Sequence, residues 1–69
     1  MKWIKEYSDE HEAQYSCKVD DYLVVVWRTR RWHLVVEKTL KYATLGALKS
    51  RRECEKFVGP LIRLLDENN

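Results

Sequence analysis

The amino-acid sequence predicts an α+β fold: a four- to five-stranded antiparallel β-meander covered on one face by a kinked C-terminal helix. Three observations carry this expectation. Two runs of β-branched and aromatic residues, Tyr22 to Arg28 and Trp32 to Lys38, are separated only by Thr29, Arg30 and Arg31, the spacing of a hairpin. Ahead of them, Ala13, Tyr15, Cys17 and Val19 alternate with Gln14, Ser16 and Lys18, the period of a half-buried strand. Beyond them, Cys54, Phe57, Val58, Leu61, Ile62 and Leu65 fall at steps of three and four, which places them on one stripe of a helix.

The elements follow in chain order. In residues 2–8, Trp3 and Tyr7 have helical spacing but also share a strand face with Lys5. No capping residue precedes them and Asp9-Glu10 reads as a turn, so a first strand is expected. A second strand spans residues 11–19 and breaks at Asp20-Asp21. Two registers are open there. A two-residue turn pairs Val19 with Tyr22 and puts Tyr15 and Cys17 on the Val24/Val26 face. A three-residue loop pairs Val19 with Leu23 and puts them under the helix, and this one is expected because it gives the helix a full surface to cover. In the hairpin, grouping Leu23, Val25 and Trp27 with Leu34 and Val36 as the covered face leaves Val24, Val26 and Val35 opposite, beside Arg28, His33 and Glu37. Thr39-Leu40 is a turn, residues 41–45 a last strand, and Gly46 frees the chain to swing towards the helix. Ser50 with Glu53 three residues later makes a capping box that starts the helix over residues 50–67. Gly59-Pro60 predicts a kink or short break, because proline cannot donate to the Lys56 carbonyl.

Sixty-nine residues predict a single domain, and a chain of that length buries only about 60% of its unfolded surface, so marginal stability is expected. A hydrophobic content of 45% beside 35% charged residues reads as globular. No apolar run nears the roughly 20 residues of a membrane span, and Met1-Lys-Trp-Ile-Lys-Glu6 lacks the apolar region of a signal peptide. The expectation is a cytoplasmic protein without a membrane partner. The net charge of +2 is uneven: residues 22–56 hold nine Lys or Arg against three Glu, whereas residues 1–21 hold three Lys against six acids. An anionic partner would be steered to the middle of the chain.

Candidate sites follow from that basic stretch. Arg28, Arg30 and Arg31 flank a hairpin tip bearing Trp27 and Trp32, with His33 next in the chain, and planar guanidinium groups beside indoles suit phosphates, bases or an acidic protein patch. The plainer alternative is a solvated loop whose tryptophans belong to the core. Lys49, Arg51 and Arg52 open the helix, where free N–H groups already favour an anion such as a nucleic-acid phosphate; the plainer alternative there is an exposed first turn. Val24, Val26 and Val35 make an apolar second face, which either the first strand or N-terminal segment folds over or a second copy covers in a homodimer. His11, His33, Cys17 and Cys54 match a zinc set by count, but their scatter argues against a metal, and Cys17 and Cys54 read as free buried thiols. No catalytic constellation and no cofactor motif stands in the chain, so no enzyme is expected.

Trp3, Tyr22-Leu-Val-Val-Val-Trp27, Trp32-His-Leu-Val-Val36, Gly46 and Ser50-Arg-Arg-Glu-Cys-Glu55 resemble a family of short phage and prophage proteins. In that family a tryptophan-rich antiparallel meander ends in a glycine and is followed by a helix. Met1-Lys-Trp-Ile-Lys5 is similar to the start of one anti-CRISPR protein. The resemblance implies a non-enzymatic protein that binds and inhibits a host protein or nucleoprotein complex in the bacterial cytoplasm. The chain departs from the family at Gly59-Pro60 and in its turns, which are usually glycine-rich. A sheet followed by a helix opening on basic residues is also similar to the double-stranded-RNA-binding domain, which implies a nucleic-acid-binding module instead.

Overall fold

Loop length sorts this sheet into two faces. The computed structural model describes residues 1–67, with strands β1 (Ile4–Ser8), β2 (Ala13–Val19), β3 (Tyr22–Arg28), β4 (Trp32–Lys38) and β5 (Lys41–Leu48), then helix α1 (Arg51–Glu67). The strands lie in chain order in one antiparallel sheet. Directly paired residues share a face. The three-residue loop 29–31 pairs Arg28 with Trp32, so even-numbered positions meet even-numbered ones, and Val24 and Val26 lie beside Val36 and Leu34. The two-residue turn Asp20-Asp21 pairs Val19 with Tyr22, which brings odd-numbered Tyr15 and Cys17 to that same side.

Both expectations about faces are thereby corrected. The register at Asp20-Asp21 is the shorter one, and the helix covers the Val24/Val26 face rather than the Leu23/Val25/Trp27 face. Val24, Val26, Leu34 and Val36 are all 0% exposed beneath α1. Of the three residues expected on a dimer face, Val24 and Val26 are therefore core, and only Val35 lies on the uncovered side.

Helix α1 starts at the Ser50 cap its sequence implies, with the carboxylate of the box shifted by one residue from the Ser50 N–H to that of Lys49. The Glu53 N–H donates to Ser50 Oγ at 3.0 Å, and the Glu53 carboxylate returns to the Lys49 N–H at 3.3 Å. It continues unbroken through Gly59 and Pro60, both exposed, where water can reach the carbonyl that proline leaves without a donor. Cys54, Val58, Ile62 and Leu65 form its buried stripe; Phe57, expected on it, is 38% exposed. Side chains tie the helix to the sheet along its length. Near its start Trp3 packs against the core and its indole N–H donates to Glu55. Near its end Tyr22 Oη donates to Asp66 at 2.6 Å and Lys41 Nζ to the Leu65 carbonyl at 3.4 Å.

β5 runs three residues beyond expectation and is irregular opposite His33, where the pairing skips between Trp32 and Leu34. Gly46 is needed there for room and not for a left-handed backbone: a Cβ on it would sit 3.1 Å from His33 Nδ1. The left-handed residue is its neighbour Ala47, at φ 60°.

Leu40 also holds a left-handed backbone, at φ 64°, with a fully exposed side chain. Leu40→Gly is therefore expected to raise stability by about 0.5–1 kcal/mol, read from the urea midpoint, because it relieves the Cβ clash and gives up no contact. Alkali should act in the opposite direction. Burial, with Glu53 nearby, pushes the Cys54 thiol up to about 11, and the hydrogen bond to Asp66 pushes the Tyr22 phenol up to about 12. Both groups are raised, so their stabilising contributions are whole below their unfolded values of about 8.5 and 10 and are lost as pH climbs through the folded ones. The denaturation midpoint should fall between about pH 9 and 12, and Tyr22→Phe should remove the upper part of that fall.

Candidate partner-binding end

An antiparallel meander sends its loops alternately to two ends. The β1–β2 turn at 9–12, the β3–β4 loop at 29–31 and the β5–α1 junction at 49–50 share one of them. Two basic clusters separated in sequence thus meet: Arg28, Arg30 and Arg31 stand at the same end as Lys49, Arg51 and Arg52.

On the helix side of that end, rings and guanidinium groups form a ladder. The Arg28 Cζ lies 6.0 Å from the Trp32 ring centroid, Trp32 stacks on Tyr15 at 6.1 Å and 30°, and the Arg51 Cζ sits 4.4 Å over Tyr15. Such contacts favour the cation by roughly 0.5–1 kcal/mol at partly exposed sites. Arg28 is held further by donating from Nη2 to the Asp9 carbonyl at 2.6 Å. Trp32 is consequently half-buried scaffold, and its ring is not a free surface at the hairpin tip. His33 points to the opposite face, stacked on Trp27 at 5.2 Å and 21°. The five residues expected to bind a partner therefore divide three ways: Arg28 and Trp32 in the ladder, His33 on the uncovered face, Arg30 and Arg31 at the tip.

Four cations at this end, Arg30, Arg31, Lys49 and Arg52, are exposed and form no ion pair among the described residues. Several acids close to them are engaged elsewhere. The Asp9 carboxylate accepts from the Glu12 and His11 N–H groups at 2.7 and 2.8 Å, which hold its pKa below the usual carboxylate range, and Glu10 lies 3.5 Å from His11. Glu53 caps the helix and Glu55 takes the Trp3 indole. A shallow groove beside the ladder is lined by Tyr15, Trp32, Ser50, Arg51, Arg52 and Glu55. Tyr15 and Glu55 were not legible as part of a site, because only the register places Tyr15 next to Trp32.

The thiols offer little chemistry. Cys17 and Cys54 are both buried and unbridged, and the Cys54 Sγ donates to the His33 carbonyl at 3.9 Å. With the Cys54 thiol pushed up to about 11, thiolate is scarce near neutral pH. Among the described residues no group of three or more His, Cys, Asp or Glu is placed to hold a metal ion, and no helix is long and apolar enough to cross a membrane.

The ladder can be tested as a coupled unit. A double-mutant cycle on Arg51→Ala and Tyr15→Ala is expected to return a coupling of about 0.5–1 kcal/mol in unfolding free energy. Additive single effects would mean that the guanidinium and the ring do not interact. No family model, curated protein or solved structure matches the chain.

Proposed function

We propose that this chain works by binding and not by catalysis, as a small phage-type protein that docks its basic end on a host nucleoprotein complex and inhibits it. The observation that carries the proposal is the convergence of Arg30, Arg31, Lys49 and Arg52, all exposed and free of ion pairs among the described residues, at one end of the sheet. The hairpin carrying Arg30 and Arg31 is anchored by Arg28 and Trp32, and the helix start carrying Arg52 by Arg51 over Tyr15. Backbone held in place at these positions lowers the ordering cost of docking, which favours affinity. The resemblance of the tryptophan-rich meander to short phage proteins supplies the inhibitory role. No cofactor or metal enters this reading.

Direct binding of nucleic acid is the second reading, favoured by the same four cations. The ladder weighs against base stacking, since Arg51 covers Tyr15 and Arg28 lies over Trp32. Contact would then be with phosphates, and four of them predict a log–log salt slope of about −3 to −4.

The chain used as bait in a host lysate is expected to enrich one nucleic-acid-handling complex. Arg30→Glu/Arg31→Glu should reduce that recovery by about tenfold or more, whereas Arg63→Glu, on the exposed side of α1, should not. Equal recovery with the tip reversed would refute docking through this end. A gel shift on bare duplex at low salt separates the two readings: a salt-steep shift without any enriched complex selects direct binding.

A further inference from the structure

We propose that the uncovered face of the sheet is a homodimer interface, closed by a two-fold axis running parallel to the strands, with Lys18 of each copy against Glu37 of the other. The inference is independent of the basic end.

The side of the sheet away from α1 is apolar at its centre. Leu23, Val25 and Trp27 point there from β3, the middle of five strands, and Val35 from β4 adjoins them. No described segment folds over it. β1 extends the sheet at its edge, and Trp3 turns to the other side to join the core under α1. An apolar face of this kind on a domain of marginal size invites a second surface.

The charges on that face indicate which surface. Lys18 and Glu37 stand in one row on either side of Leu23, as the pairings Lys18–Leu23 and Leu23–Glu37 require. Two strand spacings, about 10 Å, separate their backbones, and neither forms an ion pair among the described residues. β2 and β4 lie symmetrically about β3. Rotation by half a turn about an axis parallel to β3 lays β3 on β3 of the second copy and β2 on β4. Each Lys18 then meets the Glu37 of the other copy, at the same height along the strands. This is the self-complementarity an isologous interface demands, and two sheets packed about 10 Å apart leave a lysine enough reach.

The edges fit the same rotation. Tyr7 on β1 and Gly46 on β5 belong to one row, through Gln14, Trp27 and His33, and the rotation lays each exposed Tyr7 ring over the Gly46 of the other copy. Strand spacing and rise give the face about 500 Å² per copy, or about 1,000 Å² in total, near the lower bound of a specific interface. The dimer should therefore be of micromolar strength.

Sedimentation equilibrium on the full chain, from about 5 to 200 µM, is expected to show twice the 8.4 kDa chain mass at the upper end. Lys18→Glu should raise the dissociation constant by about tenfold or more, because it sets two like-charged pairs face to face. Lys18→Glu/Glu37→Lys should return it to within about threefold of the wild type. Circular dichroism and the urea midpoint of each variant confirm that the fold survives these exposed changes. A chain that stays monomeric throughout overturns the proposal. So does a dimer indifferent to Lys18→Glu, which would pair by a strand edge, or one that the double reversal fails to restore.

Discussion

Burial of Val24, Val26, Leu34 and Val36 beneath α1 is the interaction on which every other feature of this chain depends. Each such side chain gains about 1.5–3 kcal/mol when fully removed from water, a large share of what so short a domain can hold in net stability. A slip of one residue in either flanking loop would carry part of the set to the opposite face. The lengths of the Asp20-Asp21 turn and the 29–31 loop are therefore set by the core and not by the loops themselves. Asp20 accepts a left-handed backbone at φ 55° to keep its turn at two residues, a conformation that Asp tolerates better than most side chains.

Once α1 is fixed over that quartet, the charge layout follows. The helix must begin where β5 ends, so Arg51 and Arg52 arrive beside the 29–31 loop whatever else the sequence does. Basic residues at a helix N-terminus oppose the backbone dipole. Here the opposition is offset locally, by Arg51 lying over Tyr15 and by Glu53 and Glu55 within the first turns. Arg52 has no comparable compensation among the described residues, and it is one of the four exposed cations.

Much of the architecture was legible in sequence. Strands 22–28 and 32–38 end where the β-branched runs end, and Ser50 and Glu53 mark the helix start. The faces were not legible, for a physical reason. Leu23-Val-Val-Val26 is apolar at every position, so the period of two that normally tells inside from outside is silent in the strand that matters most. Each loop length decides for its own pair of strands: the three residues 29–31 set Val24 and Val26 beside Val36 and Leu34, whereas a loop of two or of three residues is equally compatible with Asp20-Asp21. The ladder failed to show for the same reason. Tyr15, Trp32 and Arg51 become neighbours only after register and helix face are both known. Gly46 misled differently: its missing Cβ suggested a backbone pivot, whereas His33 requires the space.

The run that hid the faces also explains why a second copy suits the open one. A sheet that needed only α1 would carry polar residues at 23, 25 and 27, as antiparallel sheets with one wet face do. The strand-parallel axis proposed for the dimer has a further consequence. Because it preserves direction along the strands, it brings both basic ends to the same side of the assembly and doubles the exposed cations from four to eight. Their mutual repulsion is moderated by a screening length of about 8 Å at physiological salt, but it still opposes association. An anionic partner spanning both ends removes that repulsion. By reciprocity, whatever the partner contributes to holding two copies together, the second copy contributes equally to holding the partner. Dimerisation, argued from the open face, and anion binding, argued from the basic end, are in this way coupled through a charge that belongs to neither interface alone.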